Sequence, residues 1–293
     1  MADPGEKPLI ISIIGTGEMG SGIGRRLREC GARVRTSLQG RSAASAARVA
    51  RAGLEVVGNS DELVRGADFV LSIVPPGQAV AAAGNLSGAL GRAPAKPMFL
   101  ECNAIAPATV RRIAEVLTSS GCAFMDAGII GGPPPADRKT GGPRIYISGP
   151  IASEALRLAS YGLDIAVLEG PIGAASALKM CYGGVTKGLA AIGAAMIAAG
   201  SRNNLAGALY DELASSQPEL LKWLSRRIPD MLPKAYRWVA EMEEIADFLG
   251  DADKGAAIYT GVAKLYETIA AEMESAQHDA DSITPELLPF FKG

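Results

Sequence analysis

The chain has 293 residues, 48% of them hydrophobic and 20% charged, and a formal net charge of −2. That apolar content suffices for two cored domains on the prior of roughly 150 residues each, and a near-neutral balance without a basic run disfavours nucleic acid as a partner. Four scattered cysteines (Cys30, Cys102, Cys122, Cys181) and a single histidine, His278, argue against a zinc site, a disulfide framework and histidine-based nucleophilic catalysis.

The N-terminal apolar run is too short and its approach too acidic for a signal peptide. No stretch is read as the ~20 apolar residues of a membrane span, so a soluble cytoplasmic protein with free thiols is expected. Residues 9–14 form a continuous β-branched run, the pattern of a strand buried on both faces. A helix follows over 21–31, a strand over 32–37, a helix over 42–52, a strand over 55–57, a helix over 60–66 and a buried strand over 69–74. Next come a helix around 78–84, a strand over 98–101, a helix over 108–119, and strands over 123–126, 144–148 and 165–168. This alternation predicts an α/β fold, a mostly parallel, doubly wound sheet. Strand signals stop at Gly170-Pro171, and residues 174–275 read as helical, broken at Gln217-Pro218, Ile228-Pro229 and Leu232-Pro233. Within them, 189–199 reads as a buried helix, and 278–293 as a short tail ending in Phe290-Phe291. Residues 1–170 are therefore expected to form a Rossmann-type domain, and 171–293 an all-helical domain for substrate and dimerisation.

Gly15-Thr16-Gly17-Glu18-Met19-Gly20 fits G-x-G-x-x-G, with a buried strand before it, a helix after it and a second strand about 20 residues on. In such a turn the first glycine permits the bend, the second admits a pyrophosphate, and the third lets helix pack on strand. The end of the second strand reads Thr36-Ser37-Leu38-Gln39-Gly40-Arg41-Ser42, without the carboxylate that would hold a ribose 2′-hydroxyl. Arg41 can instead grip a 2′-phosphate as a fork, with Ser42 or Ser37 donating to it. The expected cofactor is NADP(H).

These segments, in this order, resemble the β-hydroxyacid dehydrogenase superfamily, which includes 3-hydroxyisobutyrate and 6-phosphogluconate dehydrogenases. Residues 14–20 look like the family's G-x-G-x-M-G turn, and Gly40-Arg41-Ser42 is similar to its Asn-Arg-Thr at the 2′-phosphate. Val74-Pro75-Pro76 resembles the loop along the cofactor, and Asn103 lies in the segment that the family places beside the nicotinamide. Residues 126–132 look like the substrate-binding stretch that ends in Gly131-Gly132. Residues 173–180 match the segment carrying the catalytic lysine, here Lys179. The resemblance implies a dimer and, through residues 237–246, a branch with its own C-terminal helical domain. Asn103 stands where a Ser or Thr is common, and Gly183 where the family has Asn.

Lys179 opens the longest helical stretch, and Tyr182, Gly183 and Thr186 share its face at helical spacing. Gly183 leaves room for a substrate, while Thr186 or Tyr182 supplies the donor that the glycine lacks. Lys187 stands two turns on, about 12 Å along the axis, too far to share the reacting centre. A lysine protonates a developing alkoxide in reduction and, as amine, takes the hydroxyl proton in oxidation. Arg237 is a candidate for a substrate carboxylate, and the acidic run Glu241, Glu243, Glu244, Asp247 reads as a solvated face. The leading function is hydride transfer to or from a small β-hydroxy or keto acid. Two alternatives stay open: an imine reductase, which Lys179 disfavours, and a dinucleotide-binding sensor without turnover.

Overall fold

The computed structural model describes residues 7–137, 140–250, 252, 254–275 and 283–291. They fall into two compact units, Met1–Lys179 and Met180–Gly293.

The first unit is built on eight strands: β1 (Ile10–Ile14), β2 (Arg33–Ser37), β3 (Glu55–Val57), β4 (Phe69–Ser72), β5 (Met98–Glu101), β6 (Phe124–Ile130), β7 (Arg144–Ser148) and β8 (Asp164–Val167). They form one sheet in the order β3-β2-β1-β4-β5-β6-β7-β8. All pairs are parallel except β6–β7. Helices α1 (Glu18–Glu29), α2 (Ala43–Ala52), α3 (Ser60–Val64), α4 (Ala79–Arg92) and α5 (Pro107–Thr118) make the crossovers. Because helices cover both faces, each strand must be apolar on both sides. Along β4, Phe69 and Leu71 enter one core and Val70 the other, and along β5 Leu100 and Phe99 divide the same way. The strand order reverses between β1 and β4, which opens a crevice at their carboxyl ends.

Several features of this unit depart from the sequence reading, among them α4, which runs to Arg92 rather than 84, and β4, which ends at Ser72 rather than 74. Strand β6 does not stop at Asp126 but runs to Ile130, because antiparallel β7 pairs with it from Asp126↔Ser148 to Ile130↔Arg144. A 3₁₀ helix, Ala152–Tyr161, was not expected. It buries Ala152, Ala155, Leu158 and Tyr161, a three-residue repeat that fits its tighter turn. The unit also continues past Gly170 into helix α6 (Ala174–Arg202), whose first N–H groups bond to side chains of β6 and β7.

The second unit holds the rest of α6 with α7 (Ala206–Ser216), α8 (Pro218–Met231), α9 (Ala235–Leu249), α10 (Gly255–Glu274) and α11 (Thr284–Phe290). Trp238 of α9 meets Tyr266 of α10 edge-on at 5.4 Å, and the Tyr266 hydroxyl donates to the Lys187 carbonyl of α6. Here α6 ends at Arg202, just before Asn204 in the left-handed region with φ 58°, rather than at a proline. Pro229 does not break α8: it sits inside the helix between Ile228 and Met231, both fully buried, whose packing outweighs one missing N–H. The expected tail contains α11, where Phe290 packs edge-on against Tyr210 at 5.7 Å; His278 lies outside the described residues.

Residues 189–199 are buried on one face only. Ala190, Ala191, Ala194, Ile197 and Ala198 pack inward, while Tyr182, Val185, Leu189, Ile192 and Met196 are exposed. By length and composition alone α6 is apolar enough to cross a membrane, contrary to the sequence reading, although 39% of its most apolar window is buried in the structure.

Candidate active site

The glycine turn lies at the carboxyl end of β1. Gly15 has φ +89°, and a side chain there would collide with the Ile73 carbonyl; one at Gly20 would collide with the Gly15 carbonyl. Gly17 faces open space, with nothing within 4 Å of where a Cβ would stand. Helix α1 starts at Glu18 behind Gly17 as its cap residue, so its first N–H groups have no side-chain acceptor from the cap. Thr16 is buried and its hydroxyl lacks a partner. Glu18 is exposed and Met19 packs against the core. An open backbone cradle, an uncapped helix start and an orphaned hydroxyl fit a dinucleotide pyrophosphate.

Register carries the turn to the end of β2, since Ile13 pairs with Thr36. Beyond Gly40, in the left-handed region, Arg41 is exposed, and the Ser42 hydroxyl caps α2 by accepting the Ser45 N–H at 3.3 Å. Sequence reasoning missed Arg48. Its Nε donates to the Thr16 carbonyl at 3.0 Å and its guanidinium to the Ser45 hydroxyl at 3.1 Å, tying the glycine turn to α2. Its spacing from Ser45, one helical turn, was the available signal.

The loops after β4 and β5 are braced together by Asn103, which is only 3% exposed. Its Oδ1 accepts the Val74 N–H at 2.6 Å, its Nδ2 donates to the Ser72 hydroxyl, and its own N–H donates to Glu101 Oε1. Pro75 precedes, and Pro76 opens, the single 3₁₀ turn that leads into α4. Glu101 is fully buried and its Oε2 has no partner. Burial pushes its carboxyl up to about 8, against the lowering effect of the Asn103 N–H and with a further push from Asp126. Nothing in the sequence marked Glu101 as titrating in this range.

Asp126, on β6, is also fully buried, but it is not solitary. It accepts from the Ser148 hydroxyl, from the N–H groups of Gly173 and Ser176, and from the Ser176 hydroxyl at 2.6 Å. Lys179 follows Ser176 by one turn and is partly buried. Desolvation lowers its ammonium to about 8, opposed by the neighbouring acidic groups of Cys102, Glu101 and Asp126. The same burial pushes the Cys102 thiol up. Just past the end of β6, Gly131 is in the left-handed region at φ +122°, and Gly132 is exposed with open space beside it.

The first unit thus gathers the glycine turn, residues 74–76, Asn103 and Lys179 at the carboxyl ends of β1, β4, β5 and β6. Gly183, Thr186 and Arg237 belong to the second unit. Gly183 stands beside Ile245, Thr186 donates back to the Tyr182 carbonyl of its own helix, and exposed Arg237 lies over the Tyr236 ring. Glu241 is not on a solvated face: it pairs with Lys187, whose ammonium also sits over Trp238 at 5.1 Å.

The NAD binding domain of 6-phosphogluconate dehydrogenase matches residues 10–153, and a domain of unknown function (DUF1932) matches residues 201–269. A 3-hydroxyisobutyrate dehydrogenase of Pseudomonas aeruginosa is 29% identical over 209 residues, covering 69% of this chain and 68% of that protein. A conserved protein whose structure resembles 3-hydroxyacid dehydrogenases is 29% identical with a TM-score of 0.68, covering 92% of this chain and 100% of its own. The Mycobacterium tuberculosis 3-hydroxyisobutyrate dehydrogenase with L-serine shares the fold at 20% identity and a TM-score of 0.72, over 98% of this chain and 99% of its own.

Proposed function

Because the chain belongs to the β-hydroxyacid dehydrogenase superfamily, in a branch with its own C-terminal helical domain, we propose that it transfers a hydride between NADP(H) and a small β-hydroxy or keto acid or related carbonyl compound. Lys179 is the general acid and base. The observation that carries this reading is a lysine held at about 8 in the same unit as an intact, open glycine turn. Its proton is therefore exchangeable near neutral pH.

When bound, the nicotinamide gives or takes the hydride. The residues of this chain do the rest. The N–H groups at the start of α1 face the pyrophosphate, and the Thr16 hydroxyl finds there the partner it otherwise lacks. Arg41 pairs with the 2′-phosphate, a preference supported by the absence of any carboxylate at the end of β2. Asn103 holds the Val74-Pro75-Pro76 loop in place. Backbone at Gly131 and Gly132 holds substrate, and Lys179 delivers a proton to the oxygen during reduction or removes it during oxidation.

The protein acts as a homodimer in a reducing cytoplasm, where its four free thiols persist. The dimer reading rests on the exposed stripe Tyr182, Val185, Leu189, Ile192 and Met196, whose steps of three and four residues give the seam of a helix pair.

Binding titrations with NADPH and NADH, followed by turnover on a panel of β-hydroxy acids, keto acids and aldehydes, test the proposal. NADPH is expected to bind at least ~10-fold tighter than NADH, with the difference lost in Arg41→Asp, and at least one panel member to turn over. Equal binding of the two would remove the 2′-phosphate assignment; a panel without turnover would favour a non-catalytic sensor.

A further inference from the structure

Helix α6 begins on a strand rather than on a cap of its own. An α-helix leaves four N–H groups without intrahelical partners. In α6, those of Gly173 and Ser176 go to the Asp126 carboxylate, and that of Ala175 goes to the Ser148 hydroxyl at 3.0 Å. Ser148 in turn donates to Asp126, and the Ser176 hydroxyl closes the cluster on the other carboxylate oxygen. Asp126, Ser148 and Ser176 are all fully buried. A buried negative charge at a helix start is favourable only where the N–H groups and the helix dipole are aimed at it, as they are here.

Two residues along β6, on the same face as Asp126, stands Gly128. A Cβ there would lie 2.5 Å from the Ala175 carbonyl oxygen and 3.4 Å from the Lys179 Cβ. Its φ is not in the left-handed region, so it is the close approach of α6, not the backbone, that requires glycine. Any side chain would push the first turn of α6 off the strand. Lys179 sits one turn past Ser176, so the place of its Cα follows from how that turn is clamped.

We propose that Asp126 and Gly128 form a seat on β6 that positions Lys179 for proton transfer. They are positioning residues: they act through the lysine and do not touch substrate. This rests on the reading of Lys179 as the proton carrier. The seat has two parts. Asp126 fixes the helix start and places a negative charge near the ammonium. Gly128 sets the distance between helix and strand. Reactions depend steeply on such placement, with a shift of about 1 Å able to cost ~100-fold.

The test uses the full chain carrying Asp126→Asn, Gly128→Ala or Ser176→Ala, with three readouts: NADPH affinity, kcat, and the pH midpoint of Lys179 acylation followed by mass spectrometry. NADPH affinity is expected to stay within about twofold, because the glycine turn is untouched. The kcat is expected to fall at least ~10-fold in Gly128→Ala and Asp126→Asn, and less in Ser176→Ala. The acylation midpoint is expected to fall in Asp126→Asn, where a charge that favours the ammonium is gone. Variants that bind NADPH normally, keep kcat within about twofold and leave the midpoint unmoved would overturn the seat. Should Asp126→Asn fail to fold, the Gly128→Ala and Ser176→Ala results decide. Turnover that survives Lys179→Ala would defeat the proton-carrier reading instead, while the acylation midpoints still report whether β6 sets the surroundings of the lysine.

Discussion

Lys179 and Glu101 are both driven by burial toward their neutral forms, the ammonium down to about 8 and the carboxyl up to about 8. For the lysine, the consequence is a pH profile that differs with direction. Reduction needs the ammonium and should decline as pH rises through about 8, whereas oxidation needs the amine and should rise over the same range. Measuring kcat/KM against pH in both directions checks this; parallel profiles would count against the lysine. For the glutamate, the consequence is for stability. Between 4.5, its ordinary value, and about 8 the native chain holds a proton that the unfolded chain has released. Its contribution therefore weakens as pH climbs through that window. Glu101→Gln lacks this loss and should gain, relative to the parent, roughly 3 to 4 kcal/mol at pH 8 over its standing at pH 5. Urea unfolding at the two pH values measures it.

Elements show which parts of the molecule were legible from local pattern. Strands β3, β5 and β7 have the bounds their short apolar runs implied, and the glycine turn was readable because its strand, turn and helix are contiguous. The last part of β6 was not, since Gly128 and Gly131 weaken any local strand signal while β7 supplies the pairing. The same reason hid the seat of α6: Asp126 and Ser176 are 50 residues apart in sequence and are joined only by the fold. Asn103 was found by its motif, but its bond to Val74 spans 29 residues and was invisible. At this scale the α6 stripe makes a direct prediction. Ile192→Glu with Met196→Lys should shift the protein from dimer to monomer in sedimentation equilibrium without unfolding it, because both side chains are more than half exposed in the single chain. Gly20→Ala, which drives a methyl into the Gly15 carbonyl, should weaken NADPH binding at least ~10-fold.

In the whole molecule, the residues proposed to hold the cofactor lie in the first compact unit, and the exposed stripe of α6 lies in the second. Ligand binding to the native state alone stabilises by mass action, about 2.7 kcal/mol at a concentration 100 times Kd. NADPH should therefore raise the melting temperature of the parent and of Lys179→Ala alike, and this rise should be smaller in Gly20→Ala. The most direct test of the central claim compares turnover and NADPH affinity in Lys179→Ala with the parent chain, on whichever panel compound the parent converts. The expected result is turnover reduced at least ~100-fold with NADPH affinity unchanged within about twofold. Undiminished turnover in that variant would contradict the assignment of proton transfer to Lys179.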